Sequence, residues 1–310
     1  MFVAVGDLEN AFYRLAVPPG MDHLFTLPAV DSGLVGLTRL DGTPLAAGER
    51  LLPCLQILPM GWNWAMHICQ AVVRHAVVQA GFADDDLLED GAPALRLDAH
   101  DAVVPAAYVD NFFAFSRDPA AARRRRDDIS RVLRGWGLKV HEETDSTGGA
   151  SFLGLELFKG RLLSIKRKRL WRLRWGLETL LRKGQCSSAV MQVVAGHITW
   201  ALLLRRESLS ILDKTYAYIF SSQPAGAPLW PAVRRELWTI RSILPLICAD
   251  LSAPWCPTLS CSDASEFGLG VCTRPLQPDL VSSFGGFAEH GDIKSMGAAG
   301  PEQSHSPHIP

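Results

Sequence analysis

Residues 103–115 have the sequence VVPAAYVDNFFAF, in which two apolar runs enclose Asp110 and Asn111. Runs of β-branched and aromatic residues favour strands, and a two-residue polar connection favours a tight turn. The stretch therefore predicts a β-hairpin that turns at Asp110-Asn111. A carboxylate at the tip of a rigid hairpin can meet a cation, but the same two residues also suit a turn with no other role.

The first residues of the chain predict a second strand that ends on an acid. Residues 2–7, FVAVGD, form a short apolar run that stops at Asp7. If this strand neighbours the hairpin, Asp7 and Asp110 form a pair of hard oxygen ligands, which Mg²⁺ prefers. Two such ions can align the attacking and leaving oxygens of a phosphoryl transfer. The alternative for Asp7 alone is that it caps the turn that follows it.

The remaining pattern predicts a mixture of helices and short strands, which is typical of an α+β fold. A turn or short helix is predicted at 9–16, hairpins at 24–58, 151–165 and 257–273, and helices at 61–79, 119–135, 167–220 and 231–248. Residues 80–101 are acidic and predict a loop insertion. The residues after about 286 are rich in Gly, Ser, His and Pro, and predict a disordered tail.

Composition excludes several classes of protein. The chain is 48% hydrophobic and 20% charged, as globular proteins are, and its net charge of −1 indicates no partner. Its seven cysteines contain no CxxC pair, which argues against a disulfide framework or zinc site and favours an intracellular location. The N-terminal residues lack the basic region of a signal peptide, and no apolar run of about 18 residues predicts a membrane span.

Charge is concentrated in one segment. Residues 159–183 contain ten Lys or Arg and one acid, Glu178, with Trp171 and Trp175 interleaved. One interpretation is a surface that grips nucleic-acid phosphates. The other is an ordinary solvated helix whose Trp rings pack inward. The candidate nucleic-acid contacts are Lys166, Arg167, Lys168, Arg169, Arg172 and Arg174.

Five short motifs follow one another in the order found in the palm of reverse transcriptases. They are DLENAFY at 7–13, LPMGWN at 58–63, YVDN at 108–111, GLK at 137–139 and FLG at 152–154. The second resembles the LPxG motif of that family and the third resembles its YxDD hairpin. Residues 1–250 thus resemble retroelement reverse transcriptases of the gypsy-like and DIRS-like kind.

The resemblance implies a polymerase palm, with an antiparallel sheet and helices on one face, followed by a helical thumb or connection. It implies RNA-directed DNA polymerisation, in which Asp7 and Asp110 bind two Mg²⁺ ions while a primer 3′-OH attacks a dNTP. The implied partners are a primer–template of RNA or DNA and the dNTP, with no membrane. The oligomeric state stays open.

The resemblance also implies a nucleotide site. Phe12 would exclude a ribose 2′-OH, with Tyr13 beside it, and Met60 and Gly61 would lie against the incoming base pair. Gly61 would let the backbone approach closely because it has no side chain. The alternatives are that Phe12 and Tyr13 belong to the core and that Gly61 merely precedes a helix.

Several departures from the family pattern weaken the expected catalysis. Asn111 replaces the second aspartate, so it would be a weak ligand without charge. Met60 stands where relatives often have Gln, and the family's fourth-motif Lys falls near Glu143, with His141 nearby and Glu142–Glu143 expected in a solvated turn. Only six residues precede Asp7, where the family has its fingers.

We therefore expect a reverse transcriptase fragment that is weak or inactive as this chain. One alternative is a non-catalytic nucleic-acid-binding relic, and another is an intact enzyme whose fingers lie upstream of this chain.

The C-terminal region predicts a remnant of a further domain. Residues 260–265, SCSDAS, resemble the first strand of a ribonuclease H domain, whose opening aspartate would be Asp263. Too few residues follow for a working ribonuclease H. The expected divisions are a palm at 1–160 with a partial fingers insertion at about 17–58, a thumb or connection at 161–250, a ribonuclease H-like stub at 255–285 and a disordered tail at 286–310.

Overall fold

The structure is a computed structural model. It describes residues 1–285 apart from 35–38, 40–41, 47, 90–91, 93–96, 98, 148–150 and 266–267. The strands are β1 Phe2–Leu8, β2 Val30–Asp31, β3 Arg50–Leu51, β4 Val103–Tyr108, β5 Asn111–Ser116, β6 Val140–Asp145, β7 Ser151–Phe152, β8 Leu155–Phe158, β9 Leu162–Ile165, β10 Cys248–Asp250, β11 Thr258–Ser265 and β12 Gly268–Pro275. The helices are α1 Ala11–Arg14, α2 Asn63–Gln79, α3 Pro119–Gly135, α4 Arg167–Lys183, α5 Ser188–Leu202, α6 Asp213–Phe220, α7 Pro231–Ile243 and α8 Pro278–Phe284.

An antiparallel sheet in the order β4-β5-β1-β6 forms the centre of the N-terminal half. Helices α2 and α3 cover one face, which confirms the predicted palm-like arrangement. Alternation along β1 explains the two faces, since Phe2 and Ala4 pack near α3 while Val3 and Val5 point to the other side. That other side is covered by Phe152 and by Leu157 of β8, both from a second sheet.

The second sheet has the order β10-β9-β8-β7, and its pairing joins distant parts of the chain. Strand β10 pairs with β9 across four intervening helices. Arg161 contacts Asp250 there, with 2.6 Å between Nη2 and Oδ2, and its hydrogen bonds hold the pKa of Asp250 below the usual range. The prediction of a helix over 231–248 is wrong at its end, because α7 stops before Pro245, which cannot continue the hydrogen-bond ladder.

Helices α4 to α7 form a helical unit around its own apolar core. Its largest fully buried side chains are Leu177, Met191, Ile198, Leu202, Leu212, Tyr218 and Leu237. The stretch Ser188–Phe220, through α5 and α6, passes a length-and-composition test for a membrane span, a test that core helices of soluble proteins also pass. Its backbone is interrupted at Arg205, and its buried side chains belong to this core.

Most predicted elements are confirmed, and some differ in detail. Helix α3 begins where Asp118 accepts hydrogen bonds from the N–H groups of Ala120 and Ala121, and Pro119 occupies the first turn. In its basic run, Arg123–Arg126, the side chain of Arg126 is buried and donates to the carbonyl of Thr144. The hairpin predictions for 24–58 are borne out only by the short β2–β3 pair among the residues described there.

The divisions of the chain into regions stay predictions, and each falls at a defined place among the elements. The division at 160 lies in the connection between β8 and β9, which pair with each other. Strands β11 and β12 form the predicted hairpin, exposed along its described length. The predicted acidic loop at 80–101 is described only in part, and the predicted tail at 286–310 lies outside the described residues.

Candidate active site

The β4–β5 hairpin turns one residue earlier than predicted. Tyr108 pairs with Asn111, so Val109 and Asp110 form the turn and Asn111 begins β5. The prediction of a turn at Asp110-Asn111 is therefore wrong by one residue. Val109 adopts a left-handed backbone conformation with φ of 57°, and the chain reverses there, before Asp110.

The sheet register brings the candidate ligands together. Asp7 of β1 lies directly opposite Asn111 of β5, so both side chains stand on the same face of the sheet. The N–H of Leu8 donates to the carbonyl of Asp110 over 3.0 Å, which ties the end of β1 to the hairpin tip. Asn111 Nδ2 donates to Asp110 Oδ1 at 2.8 Å. Asp7, Asp110 and Asn111 thus meet at one end of the two central strands, β1 and β5.

A side chain from α2 supports the turn. The N–H of Val109 donates to Gln70 Oε1 at 2.6 Å, and Gln70 Nε2 donates to the carbonyl of Ala107 at 3.0 Å. A left-handed conformation is costly for a β-branched residue, so it persists only where the surroundings enforce it. We had not identified Gln70 from the sequence. The available signal was a polar residue within an apolar helical pattern, but the pattern does not reveal its partner.

Cys69 lies under the same turn. Its Sγ donates to the carbonyl of Val109 at 3.4 Å. Burial, with a smaller contribution from the nearby charge of Asp110, raises the pKa of the Cys69 thiol to about 12. The thiol is therefore neutral at physiological pH, and it acts as a packing and hydrogen-bonding group beneath the candidate site.

Glu9, two residues beyond Asp7 along the chain, forms an ion pair. Lys139 Nζ is 2.6 Å from Glu9 Oε2, and the hydrogen bond from Lys139 lowers the pKa of Glu9. Residues 142–143, expected in a solvated turn, instead lie in β6 and pair with β1. Glu143 is held by Arg134 at 2.8 Å. Glu143, near the position where the family often has its fourth-motif lysine, is thus an acid in an ion pair.

The candidate nucleotide residues lie along one packed segment. Phe12 packs against the cluster that contains Leu58 and Ala65, the residues that flank Gly61. Phe12 is partly buried, whereas Tyr13 and Met60 are exposed, so the core alternative fits Phe12 better than Tyr13. Gly61 has φ of +99°, and among the described residues no atom lies within 4 Å of where its Cβ would stand. This open, glycine-requiring position fits the close approach expected there.

The basic helix α4 divides its cations between two sides. An α4–α5 groove of about 540 Å³ is lined by Lys166, Lys168, Arg169, Arg172, Leu173, Gly176, Leu177, Val194 and His197. The Arg169 guanidinium stacks 3.4 Å from the centre of the Trp200 ring. Arg174 lies elsewhere, since its Nε donates to the carbonyl of Arg241 on α7. The groove therefore combines cations with an apolar floor, and Arg174 is not part of it.

The side-chain oxygens at this end of β1 and β5 are of the kind that bind magnesium. Asp7 and Asp110 offer carboxylates and Asn111 offers an amide oxygen, all hard donors, with water and phosphate completing such sites elsewhere. Across the described residues, no group of three or more His, Cys, Asp or Glu side chains is arranged to hold a metal by itself. The site is thus a two-carboxylate site. Asp263, opposite Gly270 in β11–β12, lies on a separate exposed hairpin.

Comparisons with known proteins give the fold. No protein-family model matches the sequence, and no curated protein matches it. The foamy viral protease-reverse transcriptase in complex with double-stranded DNA matches with a TM-score of 0.52 and 13% identity, over 85% of this chain and 39% of that one. The same viral protein with an RNA/DNA hybrid matches with a TM-score of 0.52 and 12% identity, over 85% and 30% of the two chains. This chain spans well under half of either protein, and its fold is reverse transcriptase-like.

Proposed function

We propose that this chain is a retrotransposon reverse transcriptase domain that binds a primer–template and adds nucleotides from dNTPs to the primer 3′-OH. The observation that carries the proposal is the register that sets Asp7 beside Asp110 and Asn111, where the β4–β5 hairpin turns. The five ordered motifs and the reverse transcriptase-like fold support it.

The chain's own residues have separable tasks in this proposal. Asp7 and Asp110 would hold two magnesium ions, and Asn111 would assist weakly because it carries no charge. When bound, the ions would supply Lewis acidity and align the attacking and leaving oxygens. Phe12 would limit the space beside the sugar, and Gly61 would admit the incoming base pair. The intracellular location and the absence of a membrane partner belong to the same proposal.

The α4–α5 groove would hold the nucleic-acid backbone. Lys168 and Arg172 line the groove, and Arg167 is the neighbour of Lys168 on α4. All three are exposed, and among the described residues none of them contacts an acid. Unpaired cations release counterions when they meet phosphates, which is the main source of nonspecific affinity. The groove's apolar floor, including Leu173 and Val194, excludes water beneath those contacts.

Primer extension with magnesium tests the chemistry. We expect Asp110→Asn and Asp7→Asn each to lower extension by about a hundredfold or more, as when a single stabilising group is removed from a transition state. Asp279→Asn, on the exposed start of α8, is the matched control and should extend as the unaltered chain does. Extension that survives Asp110→Asn would refute the ligand assignment.

A non-catalytic nucleic-acid-binding role is the second candidate. Asn111 favours it, because its amide donates to Asp110 and adds no negative charge for a metal. In that case the chain binds primer–template at low salt but extends no primer, and Asp110→Asn leaves the binding constant unchanged. Extension by the unaltered chain decides for the first candidate.

A further inference from the structure

The outward side of α4 exposes two tryptophan rings. Trp171 is 52% exposed and Trp175 is 74% exposed, so the alternative interpretation, in which these rings pack inward, is wrong. Residues four apart on a helix are neighbours, with about 5–6 Å between their Cβ atoms. The helix buries Leu177 and Leu180 on its opposite side. Two adjacent, solvent-exposed aromatic rings on one helix face are typical of an interaction surface.

Cations surround the exposed face of α4 that Trp171 and Trp175 form, which is the tryptophan face. Arg167 and Lys168 precede Trp171 by one helical turn, and Arg172 precedes Trp175 by the same spacing. All three are exposed and contact no acid among the described residues. The Arg174 guanidinium lies 5.0 Å from the centre of the Trp171 ring. Helix α4 carries seven Lys or Arg and one acid, Glu178. A molecule that binds this face must therefore be anionic and must also offer flat groups that stack on the rings.

The tryptophan face is separate from the groove but shares its border. Neither Trp171 nor Trp175 lines the α4–α5 groove, whereas Lys168 and Arg172 do. These two cations therefore stand between the groove and the rings. A polynucleotide whose phosphates contact Lys168 and Arg172 can place its bases over the rings. In a duplex the base faces are already stacked on one another, so only an unpaired strand can use the rings in this way.

We propose that the tryptophan face of α4 is a sequence-independent stacking site for single-stranded nucleic acid. Unpaired bases lie on Trp171 and Trp175, and the strand's phosphates lie against Lys168 and Arg172. The site deepens the proposed function by assigning a place to an unpaired segment of the nucleic acid. It rests on the proposed nucleic-acid binding and is independent of catalysis at Asp7 and Asp110.

The test compares binding of a labelled oligothymidylate with binding of a blunt duplex to the full chain, by fluorescence anisotropy at low salt. Trp171→Ala and Trp175→Ala should each weaken single-strand binding by about 5- to 150-fold, the range for loss of one base–aromatic stack. Duplex binding should change by less than about twofold, because duplex bases do not reach the rings. Phe220→Ala removes another exposed ring, 83% exposed on α6, and should change neither affinity.

Three outcomes would overturn this site. They are unchanged single-strand affinity in the variant that carries both Trp171→Ala and Trp175→Ala, an equal loss of affinity for duplex and single strand, and equal affinity of the unaltered chain for an abasic strand of the same length. Circular dichroism of each variant separates these outcomes from unfolding. Loss of primer extension in Asp110→Asn with single-strand binding intact supports both sites as distinct. Single-strand binding without any extension contradicts the proposed catalysis and leaves the stacking site supported.

Discussion

At the scale of single residues, the geometry of the candidate site depends on side chains that take no part in the proposed reaction. Val109 holds a left-handed conformation, and Gln70 accepts a hydrogen bond from the N–H of Val109 and donates one to the carbonyl of Ala107. Cys69 adds a third contact from the same helix. The position of Asp110 is therefore set from beneath by α2, rather than by the preferences of the turn itself.

Replacing Gln70 should loosen this turn. Gln70→Met keeps the side-chain length but leaves the N–H of Val109 and the carbonyl of Ala107 without their partner. We expect a loss of about 1–3 kcal/mol in the free energy of unfolding, measured with urea, because unsatisfied polar groups are costly. Gln79→Met, at the exposed end of the same helix, should cost little. An equal loss in both variants would show that Gln70 does not support the turn.

At the scale of elements, the contact between β1 and β5 leaves room only for glycine at position 6, next to Asp7 in the chain. Gly6 pairs with Phe112, and a Cβ on Gly6 would lie 2.1 Å from the tip of the Phe112 ring. The ring therefore lies across the β1 backbone next to Asp7. Close packing of Phe112 over Gly6 therefore leaves no space for a side chain at position 6.

Adding one methyl group at this position should displace the strand. We expect Gly6→Ala to destabilise the protein by about 1–3 kcal/mol in urea denaturation, because overpacking forces neighbours to move. Gly196→Ala, in α5 with no described atom within 4 Å of the added Cβ, should instead stabilise by about 0.5–1 kcal/mol. Phe112→Leu should recover part of the Gly6→Ala loss, and failure to do so would contradict the packing argument.

At the scale of the whole molecule, charge is balanced overall and unbalanced locally. The chain has 31 Lys and Arg against 32 Asp and Glu, yet the α4–α5 groove is lined by four Lys or Arg and by no acid. Most other described cations are tied up in ion pairs, as Arg74 is with Asp84 and Glu89. The groove and the tryptophan face thus offer a cluster of cations to a polyanion.

Salt should therefore weaken duplex binding even though the net charge is −1. We expect the logarithm of the binding constant to fall linearly with the logarithm of salt concentration, by about 0.9 for each phosphate neutralised. Arg172→Gln should reduce that slope by about one. Arg131→Gln, on the exposed side of α3 and paired with Asp128, should leave the slope unchanged. A flat salt dependence in the unaltered chain would exclude phosphate contacts in the groove.

The sequence determined the elements that local patterns control. The apolar run of β1, the periodicity of α2 and the cap of α3 each act within a few neighbouring residues, so their bounds were predicted closely. The motif order also predicted which acids belong together, because a short run such as YVDN is typical of one kind of hairpin. These features need no knowledge of what packs against them.

Only the tertiary structure decided the remaining features, because they depend on contacts between residues far apart in the chain. The one-residue shift of the hairpin turn follows from Gln70 on α2. The pairing of β10 with β9 forms a strand at Cys248–Asp250, directly after a helix that the local pattern extends too far. The outward direction of Trp171 and Trp175 follows from which side of α4 the rest of the helical unit covers. Burial is a property of the assembled core, so no local pattern in the sequence can determine it.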